Sequence, residues 1–214
     1  CILVSFYIFI TYPKLPDVRS LDVYRPSTPL QIFDRNGSLI TKIGVEKRVF
    51  ISEEQTPPLL IHSIISAEDE NFFNHFGIDF IGIIRATIAN ISSGSIVQGA
   101  STITQQVARN FFLSNKKSFM RKINEILLAI KIDKTLSKSK IMNLYINQIY
   151  LGQRSFGFAS ASETYFGKKL NDLNLAEIAM LAGLPKAPSR NNPVSNFSKA
   201  KNRQIYVLNR LLKL

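Results

Sequence analysis

Glu68-Asp69-Glu70 is followed at once by Asn71-Phe72-Phe73 and then by His75 and Gly77, which sets acids beside aromatics at the end of a helical pattern. An acid pressed against apolar surface loses hydration on ionising, and this moves it toward the range of a general base. The same run also reads as a solvated acidic helix terminus. Gly99-Ala100-Ser101-Thr102-Ile103-Thr104-Gln105-Gln106 gathers short hydroxyls and side-chain amides where another helix begins. Free backbone N–H groups there can receive an anion, and hydroxyls and amides suit sugar or phosphate oxygens. A polar cap on a surface helix has the same composition. Arg121 and Lys122 lie four and three residues before Glu125, so all three share one helical face, placed here opposite an Ile/Leu stripe. A basic pair flanking one carboxylate can hold a pyrophosphate, and it can equally be a surface ion pair.

These groups sit in a basic stretch. Arg109, Lys116, Lys117, Arg121, Lys122, Lys131, Lys134, Lys138 and Lys140 stand against Glu125 and Asp133 alone, within a chain of 27 Lys+Arg, 15 Asp+Glu and formal charge +12. That balance favours an anionic partner: nucleic acid, a phospholipid surface or a phosphorylated substrate. Zinc-finger spacing and an RNP-like signature are both missing, and the aromatics cluster with acids instead of interleaving with the basic run, so nucleic acid is set aside. With Cys1 as the one cysteine, an intrachain disulfide and a Cys-based metal site are excluded.

The elements that must position these residues are mostly helical. Cys1 to Tyr12 carries no charge and is almost wholly apolar, shorter than the roughly 20 residues of a spanning helix, and reads as part of a membrane anchor, with a buried strand as the alternative. Residues 13–29, with four prolines, read as an extended linker. Alternation in Leu30–Phe33 and Leu39–Ile43 around Asp34-Arg35-Asn36-Gly37 predicts a β-hairpin, and a further strand is placed at Arg48–Ile51. From Pro58 the period becomes helical, with Leu60, Ile61, Ile64 and Ile65 on one stripe.

Phe80–Ile91 is nearly uniformly apolar and is assigned to the core in preference to a lipid surface. After a flexible Ser92–Gly99, a helix resumes near Ser101, where a hydroxyl can cap it. Helices are predicted over Phe119–Asp133, over Ser137–Leu151 with Gly152 as its stop, over Leu175–Ala182 under an Asn174 cap with Glu177, and over about Ser198–Leu212. The length suits one domain, 30–214, with one core or a core and a satellite lobe.

Taken in order, these segments resemble the peptidoglycan glycosyltransferase family (glycosyltransferase family 51), found alone or as the N-terminal half of class A penicillin-binding proteins. Glu-Asp-x-x-Phe-x-x-His-x-Gly appears as Glu68 to Gly77 with Phe72 in place, and Gly-x-Ser-Thr-x-Thr-Gln-Gln as Gly99 to Gln106. Arg-Lys-x-x-Glu is Arg121 to Glu125, and Tyr-x-Asn-x-x-Tyr-x-Gly is Tyr145 to Gly152. Ala182-Gly183-Leu184-Pro185 with Asn192-Pro193 completes the set. Arg109 stands where the family often has Lys, and Asp133 where it often has Glu.

The resemblance implies a mainly α fold: a lysozyme-like α lobe, a smaller membrane-touching lobe and a short N-terminal β-hairpin. It also implies an enzyme that joins the sugar 4-hydroxyl of lipid II to the anomeric carbon of a lipid-linked glycan strand, with inversion and loss of polyprenyl diphosphate. Residue by residue, Glu68 corresponds to the general base and Glu125 to the second acid at the leaving pyrophosphate. Arg109, Arg121 and Lys122 correspond to its cationic support. Ser101, Thr104, Gln105, Gln106 and Asn147 correspond to substrate-binding positions, Asn147 alternatively to a wall residue like Tyr145 and Tyr150, and His75 and Gly77 to structural ones. A divalent cation, Mg²⁺ or Mn²⁺, is implied through Glu125 and phosphate oxygens, since the sequence offers no dedicated protein cage. The expected setting is the outer face of a bacterial cytoplasmic membrane, with a following transpeptidase domain and other cell-wall synthesis proteins as partners. Two rival readings are a lysozyme-like hydrolase or lytic transglycosylase, which would need neither cradle nor anchor, and a non-enzymatic scaffold binding lipid-linked precursor.

Overall fold

A computed structural model of the chain describes residues 7, 9–26, 30–44, 46–95, 99–114, 116 and 118–214. Much of the expected anchor, the end of the expected linker at 27–29, residues 96–98 of the expected flexible stretch and Lys117 lie outside the described residues. In chain order the elements are β1 (Leu30–Phe33), β2 (Leu39–Ile43), β3 (Lys47–Arg48), α1 (Pro58–Glu68), α2 (Phe80–Ser93), α3 (Ile103–Phe112), α4 (Phe119–Thr135), α5 (Lys138–Gln148), β4 (Ser155–Phe156), α6 (Phe158–Phe166), α7 (Leu175–Gly183) and α8 (Phe197–Leu211). The chain is mainly α, as expected, and divides into two compact units, residues 1–24 with 71–142 and residues 25–70 with 143–214. Among the described residues no helix is long and apolar enough to cross a membrane.

In the first unit α3 packs on α4. Ile103, Val107 and Ala108 meet a core that includes Leu128, Ala129 and Ile132, all essentially buried. Helix α3 begins one residue later than expected: Thr102, not Ser101, is the cap, and its hydroxyl accepts from the Gln105 N–H while the Gln105 side chain accepts from Thr102 N–H. Gly77 has φ +83°, and a Cβ there would lie 2.6 Å from the Ala129 carbonyl oxygen, so only glycine lets this turn rest on α4.

Two expectations are corrected in this unit. The apolar helix α2 is not core: Phe80, Ile81, Ile84, Ile88 and Ile91 are all at least 60% exposed, and the small residues Gly82 and Ala86 form its buried side. The linker is not simply extended, because residues 12–14 and 18–21 form short 3₁₀ turns and Val18 and Leu21 are buried. Lys131 donates to the carbonyls of Leu15 and Pro16, and Lys140 to that of Asp22, which ties this segment down.

In the second unit α1, α7 and α8 pack on one another. Pro58 opens α1 at the position where a missing N–H costs nothing, and Asn174 caps α7 with Glu177 in a reciprocal box. The expected hairpin forms as β1 and β2, antiparallel, with Gly37 at φ +81° in its turn. The third strand is shorter than expected and pairs in parallel with β4. Helix α5 stops at Gln148 rather than Leu151, because Leu151 N–H turns to the Ser155 carbonyl around Gly152, Gln153 and Arg154, all at positive φ.

Candidate active site

In the first unit the site is built on α4. Ser118 caps that helix, accepting from the Arg121 N–H, and so sets the rotation of its first turn. Glu125 is 1% exposed, which corrects its placement opposite the apolar stripe: it points inward with Ile123, Leu127 and Leu128. The spacing put Arg121 and Lys122 beside it correctly. Arg121 Nη1 lies 3.2 Å from Glu125 Oε2, and Lys122 Nζ lies 2.5 Å from Oε1 and 2.9 Å from Ser101 Oγ. The buried acid thus fixes two cations whose outer parts remain accessible, Lys122 more than Arg121. Such a pair, already oriented and partly desolvated, can meet charge on a phosphate without reorganising.

The rest of the Gly99–Gln106 segment, expected to contact substrate, has its side chains turned into the fold. Thr104, Gln105 and Gln106 are buried. Gln105 is engaged in the helix cap, and Thr104 Oγ1 sits 3.5 Å from Asp133 Oδ1, which Lys138 also grips at 2.6 Å. Gln105 thereby holds the start of α3 in place. Arg109 is half exposed in the last turn of α3, where a cation complements the helix dipole. His75 is buried, and its carbonyl accepts from Lys138, whose ammonium also lies 4.8 Å from the centre of the Phe72 ring.

Sequence reasoning missed Asn71 and Asp79. The Asp79 carboxylate accepts from Gly82 N–H at 2.8 Å and from the Asn71 amide at 3.1 Å, capping α2. Burial pushes this acid up, but the two hydrogen bonds outweigh it and leave Asp79 below its ordinary value. The signal was present as an acid just ahead of an apolar run.

In the second unit Glu68 ends α1 with a side chain 13% exposed. Arg203 Nη2 donates to its Oε1 at 3.2 Å, while Arg210 pairs with Glu70 at 2.7 Å. Both arginines escaped sequence reading, since 135 and 140 residues separate them from their acids. Asn147 is 5% exposed and wholly engaged, donating to the carbonyls of Ile51 and Asn143 and accepting from Ile51 N–H. These bonds fit the wall role considered for it. Tyr145 is fully buried, in keeping with its reading as core.

Among the described residues no three His, Cys, Asp or Glu side chains come together as a metal cluster. Both oxygens of Glu125 face cations, an arrangement that repels a divalent ion. The donor set of the protein alone does not fit a bound Mg²⁺ or Mn²⁺.

The family described as Transglycosylase matches residues 36–212. Over 211 residues the chain is 54% identical to Penicillin-binding protein 1A of Neisseria flavescens and to that of Neisseria gonorrhoeae, covering 99% of this chain and 26% of each relative. It is 50% identical over 208 residues to Penicillin-binding protein 1A of Vibrio cholerae, covering 97% of this chain and 25% of that protein. The chain thus spans about a quarter of the length of the curated relatives it matches. The crystal structure of Penicillin-Binding Protein 1A from Haemophilus influenzae is similar at 27% identity and a TM-score of 0.49, over 89% of this chain and 19% of that one.

Proposed function

The chain belongs to the transglycosylase family, and on that premise we propose that it is a peptidoglycan glycosyltransferase that polymerises lipid II into glycan strands. The acceptor sugar's 4-hydroxyl oxygen attacks the anomeric carbon of the lipid-linked strand. Glu68 takes the hydroxyl proton, the new glycosidic bond forms with inversion, and the bond from the anomeric carbon to the pyrophosphate oxygen breaks. The electron pair leaves with the polyprenyl diphosphate, whose charge is met by Arg121 and Lys122, with Arg109 as further cationic support. A Mg²⁺ or Mn²⁺ ion enters this reading only as one carried on substrate phosphates.

The observation that carries the proposal is the buried Glu125 holding Arg121 and Lys122, with Lys122 tied to Ser101. A hydrolase acting on preformed cell wall has no use for that cradle. The working place in this reading is the outer face of the bacterial cytoplasmic membrane. The exposed apolar side of α2 supports it, as a surface that can enter the headgroup layer. A transpeptidase domain in the remaining length, and other cell-wall synthesis proteins, are the partners proposed.

The test is polymerisation of labelled lipid II by the chain and by its Glu68→Gln variant, with products resolved by length on a gel. A ladder of long glycan from the parent and none from a folded variant supports the proposal. Soluble fragments released from preformed cell wall, without polymer, would point to a lytic enzyme. Bound but unpolymerised lipid II, or normal turnover by Glu68→Gln, would overturn the assignment of reaction or base.

A further inference from the structure

Helix α8 presents Arg203 and Arg210 two turns apart, and both reach the last turn of α1. Arg210 Nε donates to the Ser66 carbonyl at 3.0 Å and its Nη2 to Glu70, while Arg203 Nη2 donates to the Ala67 carbonyl at 3.4 Å and to Glu68. The carbonyls at a helix C-terminus lack intrahelical partners, so two guanidiniums are well spent there. Arg203 is the one that also touches Glu68. Its guanidinium carbon stands 4.1 Å from the centre of the Tyr206 ring, and its side chain is 13% exposed, as is that of Glu68.

What gives this contact its reach is Gly183. Its backbone is ordinary right-handed helix, φ −79° and ψ −18°, open to any residue, so conformation does not call for glycine here. Space does: a Cβ on Gly183 would lie 2.7 Å from Arg203 Cγ and 3.4 Å from its Cβ. The aliphatic stem of Arg203 crosses directly over the bare α-carbon at the end of α7.

We infer that Arg203 is a positioning residue for Glu68, and that the glycine of the Ala182-Gly183-Leu184-Pro185 run is the slot through which it reaches the carboxylate. This rests on the reading of Glu68 as the base. The Arg203 guanidinium donates to the Glu68 carboxylate and so favours one rotamer of that side chain in the last turn of its helix, and Gly183 leaves room for the Arg203 stem. A base displaced by about 1 Å from its proton loses on the order of a hundredfold in rate with binding untouched.

The experiment compares kcat and KM for lipid II in the parent chain, Arg203→Met, Arg203→Lys, Gly183→Ala and Glu68→Gln, each checked for folding by circular dichroism and thermal melting. Arg203→Met is expected to lower kcat about 10- to 100-fold with KM within about twofold, and Arg203→Lys to recover part of the loss. Gly183→Ala is expected to lower kcat in the same sense, and to add nothing to Arg203→Met when combined with it. If Arg203→Met fails to fold, Arg203→Lys and Gly183→Ala carry the test through their own split of kcat from KM. Parental kcat in folded Arg203 and Gly183 variants, beside an inactive Glu68→Gln, overturns the positioning role alone. Parental kcat in Glu68→Gln overturns the reading beneath it.

Discussion

The Ser101 hydroxyl accepts a hydrogen bond from Lys122 at 2.9 Å while the same ammonium pairs with the buried Glu125. One lysine thereby joins the start of α3 to the first turns of α4, and Glu125 is what holds it. Replacing Glu125 by Gln leaves Arg121 and Lys122 close together without their counter-charge. We expect polymerisation to fall by two or more orders of magnitude. The melting transition should drop by the equivalent of about 1–3 kcal/mol, less than for a fully enclosed pair because Lys122 keeps 40% of its side chain in water. Unchanged polymerisation by a folded Glu125→Gln would remove the acid from the site.

The cap of α2 makes a pH-dependent contribution. Its hydrogen bonds from Gly82 N–H and the Asn71 amide hold Asp79 below its ordinary value in the folded chain, so its ionised form is favoured by folding. That contribution is present in full above the ordinary carboxylate range and is lost as pH falls through the lowered folded value. Asp79→Asn keeps an acceptor for Gly82 N–H but not the charge. It should be about 0.5–1 kcal/mol less stable than the parent at pH 7, and the difference should shrink as pH falls below the ordinary carboxylate range. Parallel stability curves for the two proteins across that range would contradict the assignment.

The apolar side of α2 is expected to bind lipid. Ile84 and Ile88 are 61% and 60% exposed, so changing both to Ser should alter folding stability by less than about 0.5 kcal/mol per site. Co-sedimentation with anionic phospholipid vesicles should fall about tenfold or more, because each inserted isoleucine is worth on the order of 1.5–3 kcal/mol. Equal sedimentation of parent and double variant would show that this face does not enter the membrane.

Local chemistry was legible and long-range chemistry was not. The bounds of α4 and α7, the hairpin turn and the association of Arg121, Lys122 and Glu125 follow from spacing and capping within a few residues, and the structure reproduces them. Which side of α4 faces inward did not follow, since an Ile/Leu stripe tells where apolar area lies but not that a carboxylate is enclosed with it. Phe80–Ile91 misled for a related reason: apolar composition marks a face that avoids water, and a core and a bilayer both satisfy that. The motif alone left Asn147 between a substrate contact and a wall residue, and only the packed structure shows its amide engaged by Ile51 and Asn143. Arg203 has no local pattern linking it to Glu68, and the gap at Gly183 is visible only once the two helices are packed.

The lysines that stitch residues 15–22 to α4 and α5 change how the net charge of +12 is to be used. Lys131 and Lys140 aim their ammonium groups at backbone carbonyls, and Lys138 aims its own at Asp133 and the His75 carbonyl. They still add to the long-range field, but direct contact with a phosphate would require each to give up a bond that holds the fold. The ionic-strength dependence of anion binding should accordingly count fewer released counterions than the basic residues of this stretch suggest.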